Sequence, residues 1–211
     1  MDTIQTQLGI PAVFIEADMA HMDHCYEMLG DLLGEQEAAR TLSDYCNRIY
    51  TNTEQTMAAI GAENRIRLLY CLGEDGQSVI AKGSYHAEVL DMLCNNLAVV
   101  EKPSSNAFGN PVDFEQLYQW DPDVILFAPD SVYARAGDDP LWQQMKAIAG
   151  ETYYEVPSGP FNWMGFPPSV NRYMGMIWLS ELLYPEMFSY DLLEETRQYY
   201  QLFYHIDLTR D

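Results

Sequence analysis

The chain has 211 residues, of which 48% are hydrophobic and 20% are charged, so it can bury a sizeable core as one large domain or two small ones. Its formal net charge of -21 excludes nucleic acid and anionic lipid headgroups as direct partners, because both are polyanions. No stretch approaches the roughly 18 apolar residues of a membrane span, and the polar run "DTIQTQ" after Met1 is not a signal peptide.

The first half of the chain predicts one strand and two helices. Residues 9–16 are typical of a short buried strand after a Gly-Ile-Pro entry. Leucines at helical spacing predict a helix over about 22–33, with Gly34 as its C-cap. Apolar residues then recur every three or four positions over about 35–60, until Gly61. This second helix would reach roughly 37 Å, enough to span a domain.

From residue 65 the sequence alternates between strands and helices, which favours a parallel sheet covered by helices. Strands are predicted at 66–72, 78–83, 98–101, 123–129 and 152–157, with a turn at 73–76. Three helices are predicted to begin near Ser84, at Asp113 with Gln116 in a capping-box pattern, and at Asp139 before Pro140. Two more helices are predicted over 169–184 and 191–204. The predicted fold class is therefore α/β, a parallel-sheet sandwich lobe preceded by a long helix.

Four loops follow the predicted strands, where α/β sheets bind ligands. They cover residues 82–88, 104–111, 128–139 and 159–168. Their candidate ligand contacts are aromatic, polar or charged, namely Tyr85, His86, Phe108, Asp130, Ser131, Tyr133, Arg135, Asn162, Trp163 and Phe166. Two alternatives stay open at this point. The first loop could be a plain serine helix cap with surface aromatics, and Phe108 could tuck inward.

No catalytic or metal-binding set emerges from the sequence. Ser84 and His86 are two residues apart, without a G-x-S-x-G elbow. His21 and His24, near a helix start, are more often solvated surface than metal ligands. The four cysteines lack a C-x-x-C pair and are expected to fill the core, and no phosphate-binding glycine motif is present. Aromatic loops without a nucleophile–base pair indicate a binding protein rather than an enzyme, with no resident metal or cofactor.

The order of several segments resembles a known family. "GIPAVFIE", "LLGEQEAARTL", a long helix, "NPVDFEQLYQWDPDVILFAP", "DDPLWQQMKAIAGETYYEVP" and "NWMGFPPSVNRYMGMIWLSELLYPEMF" are similar to the iron-complex and vitamin B12 substrate-binding proteins of ABC importers. The most specific pieces are "WDPDVIL" and "PPSVNRYMGMIWLSELLYPE", and the resemblance covers essentially the whole chain. It implies two α/β lobes joined by a long helix, with ligand held in the cleft between them.

The resemblance also implies a domain organisation. Residues 1–20 would be a remnant strand of the N-terminal lobe, residues 21–61 the connector helices, and residues 62–211 the C-terminal α/β lobe. The rest of the N-terminal lobe, with its signal segment, is expected to be missing from this chain.

The function implied is an extracytoplasmic component, periplasmic or a cell-surface lipoprotein, that captures a siderophore-like iron chelate and delivers it to an ABC permease. The expected ligand-binding residues are Tyr85, Phe108, Asp130, Arg135, Asn162 and Trp163. Trp163 would supply an apolar face, and Arg135 would offset negative charge on a ferric chelate. The segment "VDFEQL" aligns Glu115 with a glutamate of the family that pairs with arginines of the permease. The helix dipole alone would also favour a carboxylate at this position.

Alternatives remain open for both ligand and class. Within the family, the ligand could be haem, cobalamin or an oxyanion such as molybdate. From another class, the chain could be a cytosolic flavodoxin-like or hydrolase-like enzyme domain. A pure interaction module would explain the acidity but not the aromatic loops. Membrane contact is expected only through the permease or a lipid anchor outside this chain.

Overall fold

The computed structural model describes residues 2–104, 106 and 108–209, so Ser105 and Ala107 of the predicted loop 104–111 lie outside the described residues. The α-helices are α1 (Asp2–Leu8), α2 (Met22–Leu33), α3 (Gln36–Ile60), α4 (Glu88–Leu93), α5 (Phe114–Trp120), α6 (Tyr133–Ala136), α7 (Lys146–Ala149), α8 (Asn171–Leu183) and α9 (Leu192–Tyr204). The strands are β1 (Arg67–Leu72), β2 (Ser78–Val79), β3 (Asn95–Asn96), β4 (Asn110–Pro111), β5 (Val124–Phe127) and β6 (Tyr153–Glu155).

Within the described residues, these six strands form one mostly parallel sheet in the order β4-β2-β1-β5-β6, with β3 also paired to β1. β5 lies between β1 and β6, parallel to both, and Leu69 of β1 is in register with Ile125 of β5. β2 and β4 run antiparallel to their neighbours at one edge. The predicted α/β fold class is confirmed, and the parallel strands place their carboxyl ends along one edge of the sheet.

Alternating residues of the central strands divide the core into two layers. Leu68 and Tyr70 of β1 face a large cluster built with α2, α3, α4, α8 and α9. Leu69 and Cys71 face a smaller cluster built with α5, α6 and α7. This period of two, with both sets fully buried, is what a central strand covered by helices on both faces requires.

The long helix is the best-predicted element of the chain. α3 runs unbroken for 25 residues, and Gly61, at φ 80°, follows its last turn. Its buried side, which includes Tyr45, Ile49 and Met57, packs against α8 and α4. α2 also ends as predicted, because Gly34 adopts the left-handed conformation (φ 77°) that glycine tolerates best.

Several predicted strands differ from the structure. Residues 9–16 have no strand pairing among the described residues, and Val13 and Phe14 are exposed. The strand predicted at 98–101 is replaced by β3, three residues earlier, and the one predicted at 78–83 is only two residues long. The β-branched and aromatic residues that favour a strand need a partner strand before they form one, and the sequence does not show where partners lie.

Two helix starts also differ from prediction. The helix expected at Asp139 is a short 3₁₀ turn (Trp142–Gln144) followed by α7, although the Asp139 carboxylate accepts the backbone N–H of Leu141 at 2.8 Å as a cap would. Ser169 does not cap α8, because its hydroxyl donates to the Asn171 side chain at 2.6 Å instead. By contrast Asp113 caps α5 as predicted, accepting from Gln116 N at 2.8 Å.

The domain boundaries at residues 20 and 61 stay a prediction. α2 and α3 share one hydrophobic cluster with β1, α4, α8 and α9. In the part of the chain that the structure describes, no helix is both long and apolar enough to cross a membrane.

Candidate ligand-binding site

A cavity of about 580 Å³ opens at the carboxyl edge of the parallel strands. Its walls follow the ends of β1, β5 and β6, together with β2 and the loop before β4. The lining residues are Leu72, Gly73, Ser78, Phe108, Ala128, Pro129, Ser158, Pro160, Phe161, Asn162 and Phe166. This is the edge at which open α/β sheets bind ligands. The cavity, called here the aromatic cavity, is the candidate site.

Phe108 forms one wall and is 81% exposed. The loop that carries it is held to β2, because the Ser78 hydroxyl donates to the Phe108 carbonyl oxygen. Gly109 follows at φ 68°, and a β-carbon there would lie 2.6 Å from the Val79 carbonyl oxygen. Only glycine allows so close an approach, so the sequence fixes the loop while leaving the phenyl ring free in solvent.

The opposite wall comes from residues 158–168, which fold back on themselves through bridges between Ser158 and Asn162 and between Asn162 and Phe166. Phe161, 45% exposed, and the partly buried Phe166 face the cavity on either side of Asn162. Asn162 itself is only 6% exposed. The loop thus presents two phenyl rings around one buried amide.

Phe166 is packed between two other rings. His86 stacks on it face to face, with ring centroids 5.0 Å apart, and Tyr70 meets it edge-on at 6.2 Å. The His86 Nδ1 donates to the Gly165 carbonyl oxygen at 3.0 Å, since a carbonyl can only accept. These contacts fix the ring from behind and leave its cavity side open.

Of the six residues predicted to bind ligand, the structure brings Phe108 and Asn162 together at the aromatic cavity. Trp163 instead points into the main core, where it is 9% exposed and its Nε1 donates to the Gly159 carbonyl oxygen at 3.3 Å. An indole at that position cannot supply a ligand with an open apolar face.

The remaining three predicted residues lie outside the cavity lining. The guanidinium of Arg172 covers the ring of Tyr85 at 5.3 Å, so a cation of the protein already occupies that aromatic face. Arg135 donates through Nη2 to the Glu74 carbonyl oxygen and so holds the turn after β1. Asp130 is exposed beside Pro129, with φ 65°, at the cavity rim.

Sequence reasoning missed Phe161 as a site residue and gave Phe166 only as a loop candidate. Neither hydrophobicity nor spacing separates these rings from Trp163 and Met164, which the same loop buries. The separation is set by the two bridges around Asn162, which are contacts within the folded loop.

The electrostatics of the cavity differ from those of the whole chain. Among the described lining residues, no side chain carries a charge, and the polar groups are Ser78, Ser158 and Asn162. A ligand there would therefore meet mainly aromatic faces and no charged side chain of the described lining, although the chain has a net charge of -21.

The nucleophile candidates are not poised for catalysis. The Ser84 hydroxyl is buried and has no hydrogen-bond partner within the described residues, so Ser84 and His86 do not form a nucleophile–base pair there. All four cysteines are free and buried. Burial raises the pKa of Cys46 to about 12 and raises the pKa values of Cys71 and Cys94, which keeps the unreactive thiol form at neutral pH.

One group of side chains has the composition of a metal site. Glu16, Asp18 and His21 place a ligand atom each within 4.8 Å of one another. The Asp18 carboxylate already accepts His21 N at 3.0 Å and contacts His21 Nδ1 at 2.8 Å, and these contacts hold Asp18 and His21 together without an ion.

Glu115, the predicted docking residue, lies in the first turn of α5 and is exposed. Its Oε1 accepts a hydrogen bond from Gln119 Nε2 at 3.3 Å. A carboxylate in this position is free to meet a cation of another protein.

Comparison with known proteins gives a consistent family. Residues 2–159 match the family described as Periplasmic binding protein. The molybdate-binding protein MolA of Haemophilus influenzae is 31% identical over 104 residues, which make up 47% of this chain and 29% of that protein.

Two solved structures share the fold over nearly the whole chain. An ABC transporter solute binding protein from Sulfurospirillum deleyianum superposes with a TM-score of 0.89 at 26% identity, covering 99% of this chain and 65% of that one. A periplasmic solute binding protein from Veillonella parvula gives 0.79 at 26% identity, covering 99% and 64%. The chain therefore spans slightly less than two thirds of the length of these proteins.

Proposed function

The chain belongs to the periplasmic binding protein family, and from that premise we propose that it is the ligand-binding component of an ABC importer, holding a siderophore-like iron chelate in the aromatic cavity. It would act outside the cytoplasm and pass the chelate to the permease. The family is one of binding proteins, which supports a role in ligand capture.

The observation that carries the proposal is the neutral, phenylalanine-rich lining of the cavity. In a catecholate-type chelate the aromatic rings of the organic ligand surround the metal, so part of the surface offered to a protein is aromatic. Phe108, Phe161 and Phe166 give such a surface three faces to pack against. A bare oxyanion would instead need cationic or N–H donors to replace its lost water. The polar side chains of the described lining are two serines and Asn162, and Ser78 and Asn162 already bond to the protein.

Molybdate is the second candidate, because the chain is 31% identical to a molybdate-binding protein over 104 residues. Under this alternative, serine hydroxyls and backbone N–H groups would hold the oxyanion. Haem and cobalamin stay alternatives to the siderophore-like chelate within the family, and both would offer a flat macrocycle around a metal.

The proposal is tested by titrating the full-length protein with three probes: a ferric tris-catecholate complex, haemin and sodium molybdate. Calorimetry of the wild type is compared with Phe161→Ala and with Leu141→Ala, which removes an apolar side chain that is 56% exposed outside the cavity. We expect a chelate to bind and Phe161→Ala to weaken it about tenfold, the loss of one aromatic contact. Leu141→Ala should bind like the wild type.

Binding of molybdate alone would replace the chelate proposal with the second candidate. If none of the three probes bound the wild type, the proposed ligand class would be wrong. Equal affinity for Phe161→Ala and the wild type would place the ligand outside the aromatic cavity.

A further inference from the structure

The side chain of Asn162 is committed to the protein although it borders the aromatic cavity. Its Nδ2 donates to the Tyr70 hydroxyl at 3.0 Å, and its Oδ1 accepts the backbone N–H of Met164 at 2.8 Å. Its backbone carbonyl also accepts from the Asn171 side chain. Both ends of the amide are therefore engaged inside the fold, and the residue is only 6% exposed.

Tyr70, the partner of Asn162, lies behind the cavity wall. It belongs to β1 and is completely buried, so a ligand in the cavity does not touch it. Burial raises the pKa of its hydroxyl, which stays protonated at neutral pH. Its ring also meets Phe166 edge-on, so one side chain contacts both the amide of Asn162 and a phenyl ring of the wall.

We propose that Asn162 and Tyr70 form a positioning pair, which sets the two phenyl rings of the wall rather than contacting the ligand. Asn162 lies between Phe161 and Phe166 in the chain, and its backbone bridges to Ser158 and Phe166. The hydrogen bond from its side chain to Tyr70 of β1 therefore fixes the position of both phenyl rings relative to the sheet. The expected effect of this pair on ligand affinity rests on the proposed function, whereas its expected effect on the conformation of the loop is independent of that function.

The bond also has a consequence that is independent of any ligand. Because Asn162 Oδ1 is held in place by the Nδ2–Tyr70 contact, the Met164 amide bonded to it is protected from solvent. Loss of the Tyr70 hydroxyl should release the amide group and let Met164 N–H exchange faster.

The test compares Tyr70→Phe with Tyr199→Phe in the full-length protein. Tyr199 is equally buried, belongs to the same hydrophobic cluster, and its hydroxyl has no hydrogen-bond partner within the described residues. It therefore controls for the loss of a buried tyrosine hydroxyl. Thermal unfolding is recorded first, to establish that both variants are folded.

Hydrogen exchange of residues 159–168 and affinity for the ferric tris-catecholate complex are then measured. We expect Tyr70→Phe to speed exchange at Met164 and to weaken binding about 2- to 10-fold, the scale of one neutral hydrogen bond. Tyr199→Phe should change neither. Asn162→Ala combined with Tyr70→Phe should bind no more weakly than Asn162→Ala alone, because the two residues act as one unit.

Unchanged exchange at Met164 in Tyr70→Phe would overturn the positioning pair. So would wild-type affinity in Tyr70→Phe together with weak binding in Asn162→Ala, because Asn162 would then touch the ligand directly. If the wild type bound no probe, the proposed function would fail separately, and the exchange measurement alone would decide whether the pair fixes the loop.

Discussion

At the scale of single residues, the loop of residues 158–168 divides its large side chains between two tasks. Trp163 and Met164 are buried in the main core, whereas Phe161 and Phe166 face the cavity. A loop with this many apolar residues therefore both anchors itself to the domain and builds a wall of the site. Composition does not show this division, because it depends on contacts within the folded loop.

The stability of Trp163→Ala tests this division. The indole is 9% exposed and packs in the core, so we expect its removal to lower the free energy of unfolding by about 3–5 kcal/mol. Phe161→Ala removes a ring that is 45% exposed and should cost clearly less. Urea unfolding followed by circular dichroism gives both values. If Trp163→Ala were as stable as Phe161→Ala but unable to bind chelate, Trp163 would have to be a ligand-binding residue.

At the scale of elements, the long helices were predictable, whereas the short strands and the short helices α1 and α6 were not. The apolar residues of α3 recur at helical spacing over 25 residues, so a few residues with low helix propensity do not obscure the pattern. β2 and β4 pair over two residues each, and their bounds are set by where the neighbouring strand lies. Residues 9–16 have the composition of a strand but pair with no described residue, since composition does not supply a partner.

The candidate site was predictable at the level of loops rather than of side chains. The alternation of strands and helices predicted ligand loops at the carboxyl edge of the sheet, and Phe108 and Asn162 of those loops line the aromatic cavity. That they bind a ligand stays a prediction. Arg135 and Tyr85 instead contact the protein itself, because Glu74 and Arg172 lie close in space but far in sequence. Such long-range contacts are not visible in spacing.

The packing of α8 against this loop gives a prediction at the element scale. A β-carbon on Gly175 would overlap the carbonyl oxygen of Trp163 and lie 3.2 Å from the Met164 sulfur. Gly175→Ala should therefore lower the free energy of unfolding by about 1–3 kcal/mol and weaken chelate binding, because the loop must move.

Ser180→Ala is the control for Gly175→Ala. It changes a fully buried small residue of the same helix and removes one hydrogen bond, from Ser180 Oγ to the Ile177 carbonyl oxygen at 2.9 Å. It should cost about 0.5–1.5 kcal/mol and leave binding unchanged. Both stabilities come from urea unfolding. A Gly175→Ala protein that matches the wild type in stability and affinity would show that α8 does not position the loop.

At the scale of the whole molecule, the net negative charge and the neutral cavity lie in different places. The net charge of -21 lies outside the neutral lining of the aromatic cavity, so under the proposed function it would act mainly on encounters with other proteins. We propose that the acidic surface, which includes the exposed Glu115, meets cationic groups on a permease, where charge complementarity would mostly set orientation and encounter rate.

Glu115→Ala tests docking separately from ligand capture. We expect chelate affinity to be unchanged, because Glu115 is outside the cavity lining, while transport in cells becomes slower and more sensitive to salt. Glu194→Ala removes another exposed carboxylate, in the first turn of α9, and should transport normally. Wild-type transport by Glu115→Ala would leave that carboxylate as a helix-start residue favoured by the dipole alone.

The central claim, that the aromatic cavity holds a metal chelate, is tested most directly by native mass spectrometry of the full-length protein purified from its host. The wild type and Leu141→Ala are compared with the double variant Phe161→Ala/Phe166→Ala. We expect the first two proteins to carry a non-covalent ligand with the isotope pattern of iron, and the double variant to lack it. The same ligand retained by the double variant, or an adduct with the mass of molybdate on the wild type, would contradict it.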